Sequence, residues 1–184
     1  DVGSGKTIVS LLAIINTIKS GYQTALMSPT EILAKQHYDL TNLIFKGTNI
    51  KTEFLTGKTE YKKKKEILSK ISNGKIDFLI GTHALFQKKI IFKKLVLVLI
   101  DEQHKFGVKQ RSDLAKKGGD NCDVLLMSAT PIPRTMMMSI YGDMDVSRLL
   151  EKPKNRLPIL TYSKPEKKID ELVEIIKKDL SDNN

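Results

Sequence analysis

The run Leu95-Val96-Leu97-Val98-Leu99-Ile100 consists of branched aliphatic residues without a break, and it stops at Asp101-Glu102. A strand with one wet face alternates apolar and polar side chains, so an unbroken run belongs to a strand covered on both faces. At this length it is a strand rather than a helix. Other segments follow the same plan. Tyr22 to Ser28 reads as a short buried strand that ends at Pro29-Thr30. Glu31 to Phe45 carries Ile32, Leu33, Leu40, Leu43 and Ile44 at helical spacing behind a capping Thr30. Thr52 to Leu55 fits a strand, and Lys58 to Ile71 fits a helix closed by Asn73-Gly74. Ile76 to Ile80 runs into Gly81-Thr82-His83, and Val124 to Met127 stops at Ser128-Ala129-Thr130. Strands alternating with helices predict an α/β fold: a mostly parallel open sheet with helices on both faces. Ligands of such sheets bind beyond the carboxyl ends of the strands. The polar clusters should therefore share one rim.

The opening residues, Asp1-Val2-Gly3-Ser4-Gly5-Lys6-Thr7, supply a partner for that rim. A glycine-rich turn ending in Gly-Lys-Thr ahead of an apolar-periodic run from Lys6 to Lys19 has the form of a phosphate-binding loop. Gly3, Ser4 and Gly5 would curl the backbone so that its N–H groups converge on one anion. Lys6 would reach the β- and γ-phosphates, and the Thr7 hydroxyl would sit on Mg²⁺. The first glycine of the full G-x-x-x-x-G-K-[ST] pattern would fall one residue before Asp1, so the chain is expected to begin inside its own motif. Such a loop needs a carboxylate at a neighbouring strand end. Asp101 is placed to hold the metal, and Glu102 to polarise an attacking water.

Charge and composition narrow the partners. A net charge of +10 on 184 residues suits a phosphate-rich ligand, although a lysine-coated soluble surface explains it equally well. The lysine run Lys62 to Lys65 reads as a solvated helix face. The single cysteine, Cys122, excludes an internal disulfide and a structural zinc site, and no apolar run is long enough to span a bilayer. His37 and His83 fit solvated turns as readily as ligand contacts. Met136, Met137 and Met138 read as core filler on a helix from Arg134 to Tyr141, and Asp143 and Asp145 as its terminators. Residues 1–152 form the expected first domain and 153–164 a Lys/Pro-rich linker. Residues 165–184 form an amphipathic helix, with Ile169, Leu172, Val173, Ile176 and Leu180 on one stripe, expected to open a second lobe.

Asp101-Glu102-Gln103-His104 is a DExH box, and on it the chain resembles the first motor lobe of superfamily 2 helicases. Ser128-Ala129-Thr130 matches motif III. Ser28-Pro29-Thr30 with Glu31 to His37 matches motif Ia, and Gly81 to Gln87 matches motif Ib. DEQHKFGVKQR, SATPIPRTMMMSIYGDMDVS and SPTEILAKQH together resemble the RecG family of bacterial ATP-dependent DNA helicases. Lys105 stands where that family more often has arginine. The transcription-repair coupling factor, whose box usually reads Asp-Glu-Glu-His, is the nearest alternative, and Gln103 favours RecG.

The resemblance implies a RecA-like P-loop NTPase fold, ATP and Mg²⁺ as cofactors, and a catalytic set of Lys6, Asp101, Glu102 and His104. It implies DNA contacts at Pro29, Thr30, Gln36, Gly81, Thr82 and His83, and coupling of nucleotide state to DNA grip through Ser128, Ala129 and Thr130. Branched or double-stranded DNA is the implied partner, and a bacterial, cytoplasmic, nucleoid-associated location is implied with it. A wedge domain and a second motor lobe with an arginine finger are expected in cis and have no counterpart in these 184 residues. Little hydrolysis is expected from this stretch alone. A different reading keeps only a basic nucleic-acid-binding module with a vestigial nucleotide site.

Overall fold

In the computed structural model the described residues are 4–102, 116–119, 121–129, 145–149, 161, 163 and 165–182. The chain divides into two compact units, Asp1–Lys152 and Pro153–Asn184. The first unit is built on five strands: β1 (Gln23–Met27), β2 (Thr52–Leu55), β3 (Phe78–Gly81), β4 (Leu95–Ile100) and β5 (Asp123–Leu126). They form one sheet in the order β2-β3-β1-β4-β5, and every pairing is parallel. Among the described residues three α-helices accompany them: α1 (Lys6–Lys19), α2 (Glu31–Ile44) and α3 (Tyr61–Ser72).

Period-two alternation along β4 assigns each face its helices. Val98 and Ile100 join Ile67 and Ile71 of α3, with Met27, Leu79 and Leu85, in one apolar cluster. Leu97 and Leu99 join Leu11 and Ile14 of α1 and Ala34 of α2 in the other. The expected two-sided burial of β4 is therefore present. The middle position of the sheet, however, belongs to β1, whose five residues are all buried although Gln23 and Thr24 are polar.

Gln23 can be buried because its amide is saturated. Nε2 donates to the carbonyls of Ile71 (3.0 Å) and Ile76 (2.7 Å), while Oε1 accepts from the amides of Lys93 (2.8 Å) and Lys94 (3.0 Å). One side chain thereby ties the end of α3 to the segments leading into β3 and β4. The third strand begins at Phe78, two residues later than expected, and the Ile76 carbonyl before it accepts from Gln23.

Helix α2 forms where the periodicity placed it, yet a different face is buried. Ile32 and Leu43 are 73% and 70% exposed, and Leu40 and Ile44 are also exposed. The stripe on the sheet is Ala34, Tyr38, Thr41 and the capping residue Phe45. Small residues at 34 and 41 let the helix lie close to the strands. The start of α3 also moves, from Lys58 to Tyr61, because Thr56 and Thr59 close a hydroxyl-bonded turn over the intervening residues.

In the second unit a short 3-10 turn, Glu166–Lys168, leads into helix α4 (Ile169–Asp182). Its stripe residues Ile169, Leu172, Val173, Ile176 and Leu180 are all exposed. The expected helix over Arg134–Tyr141 and most of the expected linker lie outside the described residues. No described helix is long and apolar enough to cross a membrane.

Candidate functional site

Backbone hydrogen bonds bring the carboxyl ends of four strands into line. The amide of Ser28 donates to the Gly81 carbonyl (3.0 Å), that of Asp101 to Met27 (2.9 Å), and that of Met127 to Ile100 (2.9 Å). From β1 the chain leaves towards β2, on one side of the sheet, and from β4 it goes on to β5, on the other. The crevice between the ends of β1 and β4 is therefore the topological switch point, where open α/β sheets bind ligands.

One cleft of about 340 Å³ lies at this rim, lined by Ser4, Gly5, Lys6, Thr7, Asp101, Glu102, Met127 and Ala129. The loop and the acidic pair, far apart in sequence, thus share one cavity of ligand-binding size. Gly5, at the N-cap of α1, has φ 88° and ψ 10°, a left-handed conformation that glycine adopts without strain. It offers no capping side chain, and no acidic residue stands in the first turn. Helix-terminal N–H groups and the positive end of the dipole therefore border the cleft with no capping side chain and no acid of their own first turn. Lys6 Nζ lies 3.4 Å from Ser4 Oγ, beside them.

Asp101 is held by both carboxylate oxygens. Oδ1 accepts the amide of Glu102 (3.0 Å), and Oδ2 meets His37 Nε2 at 2.8 Å, with both side chains largely buried. An ionised carboxylate only accepts, so against it the histidine Nε2 carries the proton and donates. Glu102 has φ 49°, a left-handed backbone that costs a residue with a Cβ roughly 1–2 kcal/mol. Strain of this kind concentrates at functional sites. Neither feature was legible in the sequence. His37 read as well as a solvated turn residue, and nothing local marks Glu102 as left-handed.

The Thr7 hydroxyl and the Asp101 carboxylate are hard oxygen donors, as Mg²⁺ prefers. Among the described residues no group of three His, Cys, Asp or Glu side chains could hold a metal by itself. That donor set fits Mg²⁺ carried in with phosphate oxygens, since this ion usually takes one or two protein ligands and completes its shell with phosphate and water.

A second groove of about 390 Å³ is lined by Pro29, Glu31, Gly57, Thr82, His83, Ala84 and Gln87. Of the expected DNA contacts, Pro29, Thr82 and His83 lie in it. Thr30 is at the N-cap of α2, where its hydroxyl accepts the Leu33 amide at 3.3 Å. Gln36 is exposed on α2 away from the groove lining, and Gly81 is buried in β3. A Cβ on Gly81 would run into the Leu55 carbonyl of the neighbouring strand, so close strand pairing alone demands glycine there. Ser128 is half-buried beside Ala129 at the end of β5. Gly3, Gln103, His104, Thr130 and Arg134 lie outside the described residues.

Residues 1–139 match the family model described as DEAD/DEAH box helicase. The chain is 48% identical over 180 residues to the ATP-dependent DNA helicase RecG of Borreliella burgdorferi, and equally to those of Bacillus subtilis and Thermotoga maritima. Each match covers 98% of this chain but only 26%, 26% and 23% of the relative, so the chain spans about a quarter of the length of these curated relatives. Among solved structures, T. fusca Cas3 superposes with a TM-score of 0.57 over 74% of this chain and 18% of its own, at 17% identity. That likeness speaks for the RecA-like α/β fold alone. Matched over most of its length, this chain belongs to the DEAD/DEAH box helicase family.

Proposed function

We propose that the chain is the nucleotide-binding motor lobe of a RecG-type ATP-dependent DNA helicase. The observation that carries this reading is the single cleft that unites Gly5, Lys6 and Thr7 with Asp101, Glu102 and Ala129. In it Ser4, Gly5, Lys6 and Thr7, with Gly3 before them, would cradle the phosphates of ATP, and Lys6 would neutralise the β- and γ-phosphates. Thr7 and Asp101 would hold Mg²⁺, which when bound offsets charge on the phosphoryl group being transferred. Glu102, turned by its left-handed backbone, would orient water, with His104 beside it in the same box. Ser128, Ala129 and Thr130 would carry the nucleotide state onward.

The second groove is the proposed path for the DNA backbone, touched by Pro29, Thr82 and His83. Branched DNA is the proposed substrate, drawn from the RecG likeness and the basic charge. Helix α4 would begin a further lobe, and closure of two lobes on ATP, favoured differently by ATP and ADP, would drive movement along DNA. Calorimetric titration of the 184-residue chain with Mg·ATP tests the reading. Binding should be saturable and should weaken at least about tenfold in Lys6→Ala, the loss expected when one charge-assisted hydrogen bond is removed. Unchanged binding in Lys6→Ala would leave only a basic DNA-binding module.

A further inference from the structure

The first turn of helix α2 borders the second groove through Glu31, and its second turn reaches Asp101, which lines the other cavity. His37 and Asp101 stand 64 positions apart and meet at 2.8 Å, with side chains 13% and 15% exposed. The contact crosses the switch point, because α2 follows β1 whereas Asp101 ends β4. The stripe that seats the helix is Ala34, Tyr38, Thr41 and Phe45, and His37, three residues after Ala34 and four before Thr41, borders it on the side where its ring meets Asp101.

From this geometry we infer that His37 is a positioning residue for the metal-holding carboxylate. The inference rests on the proposed role of Asp101. A carboxylate on a short side chain rotates readily about its last torsion, and a metal ligand that rotates binds with a penalty. Here the rotation is stopped from two sides. The Glu102 amide holds Oδ1, and the imidazole N–H holds Oδ2. Each oxygen keeps a second lone pair, so the two bonds orient the group without using up its capacity for a cation or a metal-bound water. An imidazole ring N–H is a single, rigidly aimed donor. The permanent charge of a lysine or arginine at this distance would compete with the cation for the same carboxylate. The histidine also makes α2 the only described helix whose first turn borders the second groove while a later side chain reaches Asp101. The spacing from Glu31 to His37 along the helix is about 9 Å at 1.5 Å per residue.

A merely structural histidine and a positioning one differ in what their loss changes. Partners that orient metal ligands typically affect metal affinity by about 10–100-fold when removed. The experiment is calorimetry of ATP binding to the 184-residue chain, with Mg²⁺ and with EDTA, for the unmodified chain, His37→Ala and His37→Gln. The quantity read is the factor by which Mg²⁺ tightens ATP binding. Glutamine places an amide N–H near the position of Nε2 and should keep most of that factor. Alanine should reduce it by about tenfold or more while metal-free ATP affinity stays within about twofold. Thermal melts establish that both variants are folded. If folded His37→Ala keeps the full Mg²⁺ factor, the inference is overturned while the nucleotide reading stands. The inference is also overturned if His37→Gln is as impaired as His37→Ala. If the unmodified chain shows no Mg²⁺-dependent ATP binding at all, the assignment of Asp101 fails, and the role of His37 fails with it.

Discussion

Helices α1 and α2 have the same length, 14 residues, pack on the same face of the sheet and start at the same rim, but their N-termini are built in opposite ways. Thr30 caps α2 with its own hydroxyl, Glu31 adds a negative charge to the first turn, and Lys58 lies 3.0 Å from that carboxylate. The donors and dipole at this end are answered from within the chain. At α1 the cap is a left-handed glycine, the first turn has no acid, and the first helical residue is a lysine. A helix end of that kind is poorly stabilised by itself and is completed by an outside anion. The contrast separates the two motifs that end in Thr on this rim: one is a self-contained helix start, the other the proposed phosphate site. It also limits what motif Ia offers to DNA. Phosphates there would meet Glu31 as well as Pro29.

Making α1 resemble α2 should reverse its two properties. Thr7→Glu places an acid in the first turn. The helix should gain about 0.5 kcal/mol from the dipole, so the melting temperature should hold or rise slightly. Mg·ATP affinity should fall about 100-fold or more, from like charge against phosphate. Opposite signs in a thermal melt and a binding titration are the signature; an unchanged Mg·ATP affinity would mean that the first turn of α1 is an ordinary helix start. For α2 the effect of undoing the cap should fall on stability. Thr30→Ala is expected to cost about 1 kcal/mol, a lowering of the melting temperature by a few degrees.

The smallest effect concerns Glu31 and appears only with pH. Chiefly through the hydrogen bond from Lys58, and with help from Thr56, its carboxyl titrates below the ordinary value of 4.5. The folded form therefore holds fewer protons than the unfolded one in the acid range. Whatever stability this contributes is present above pH 4.5 and is lost as pH falls through the folded value. In melts followed from about pH 6 down to about pH 3, Glu31→Gln should show a shallower acid-side decline, with little change near neutrality. An unchanged slope would show the Lys58 pair to be without consequence.

The sequence carried the architecture wherever one residue type repeats without competition. Leu95–Ile100 is a strand to the residue, because an unbroken aliphatic run flanked by lysine and aspartate leaves no other choice. The Thr30 cap was equally legible, since a threonine before an acidic first turn is a local signal. What the sequence leaves hidden depends on three-dimensional competition. The buried face of α2 runs through Ala34 and Thr41 and leaves Ile32 and Leu43 outside, because close approach to the sheet outweighs hydrophobicity. Gly81 reads as a ligand contact until the Leu55 carbonyl is seen against it. The contact between His37 and Asp101 could not be read from either neighbourhood alone, since it joins the helix after β1 to the end of β4, two strands that only the sheet order makes adjacent.

The central claim is that the opening loop and the acid at the end of β4 grasp one magnesium-triphosphate. Its most direct test is the affinity of Asp101→Asn and Lys6→Ala for ATP, each measured with Mg²⁺ and with the metal chelated. Asp101→Asn is expected to abolish the tightening due to Mg²⁺ yet to bind metal-free ATP at least as well as the unmodified chain, because a negative charge has been removed from beside the phosphates. Lys6→Ala should be weakened under both conditions. If Asp101→Asn keeps the full response to Mg²⁺, the acid and the loop do not share a ligand, and the account is contradicted.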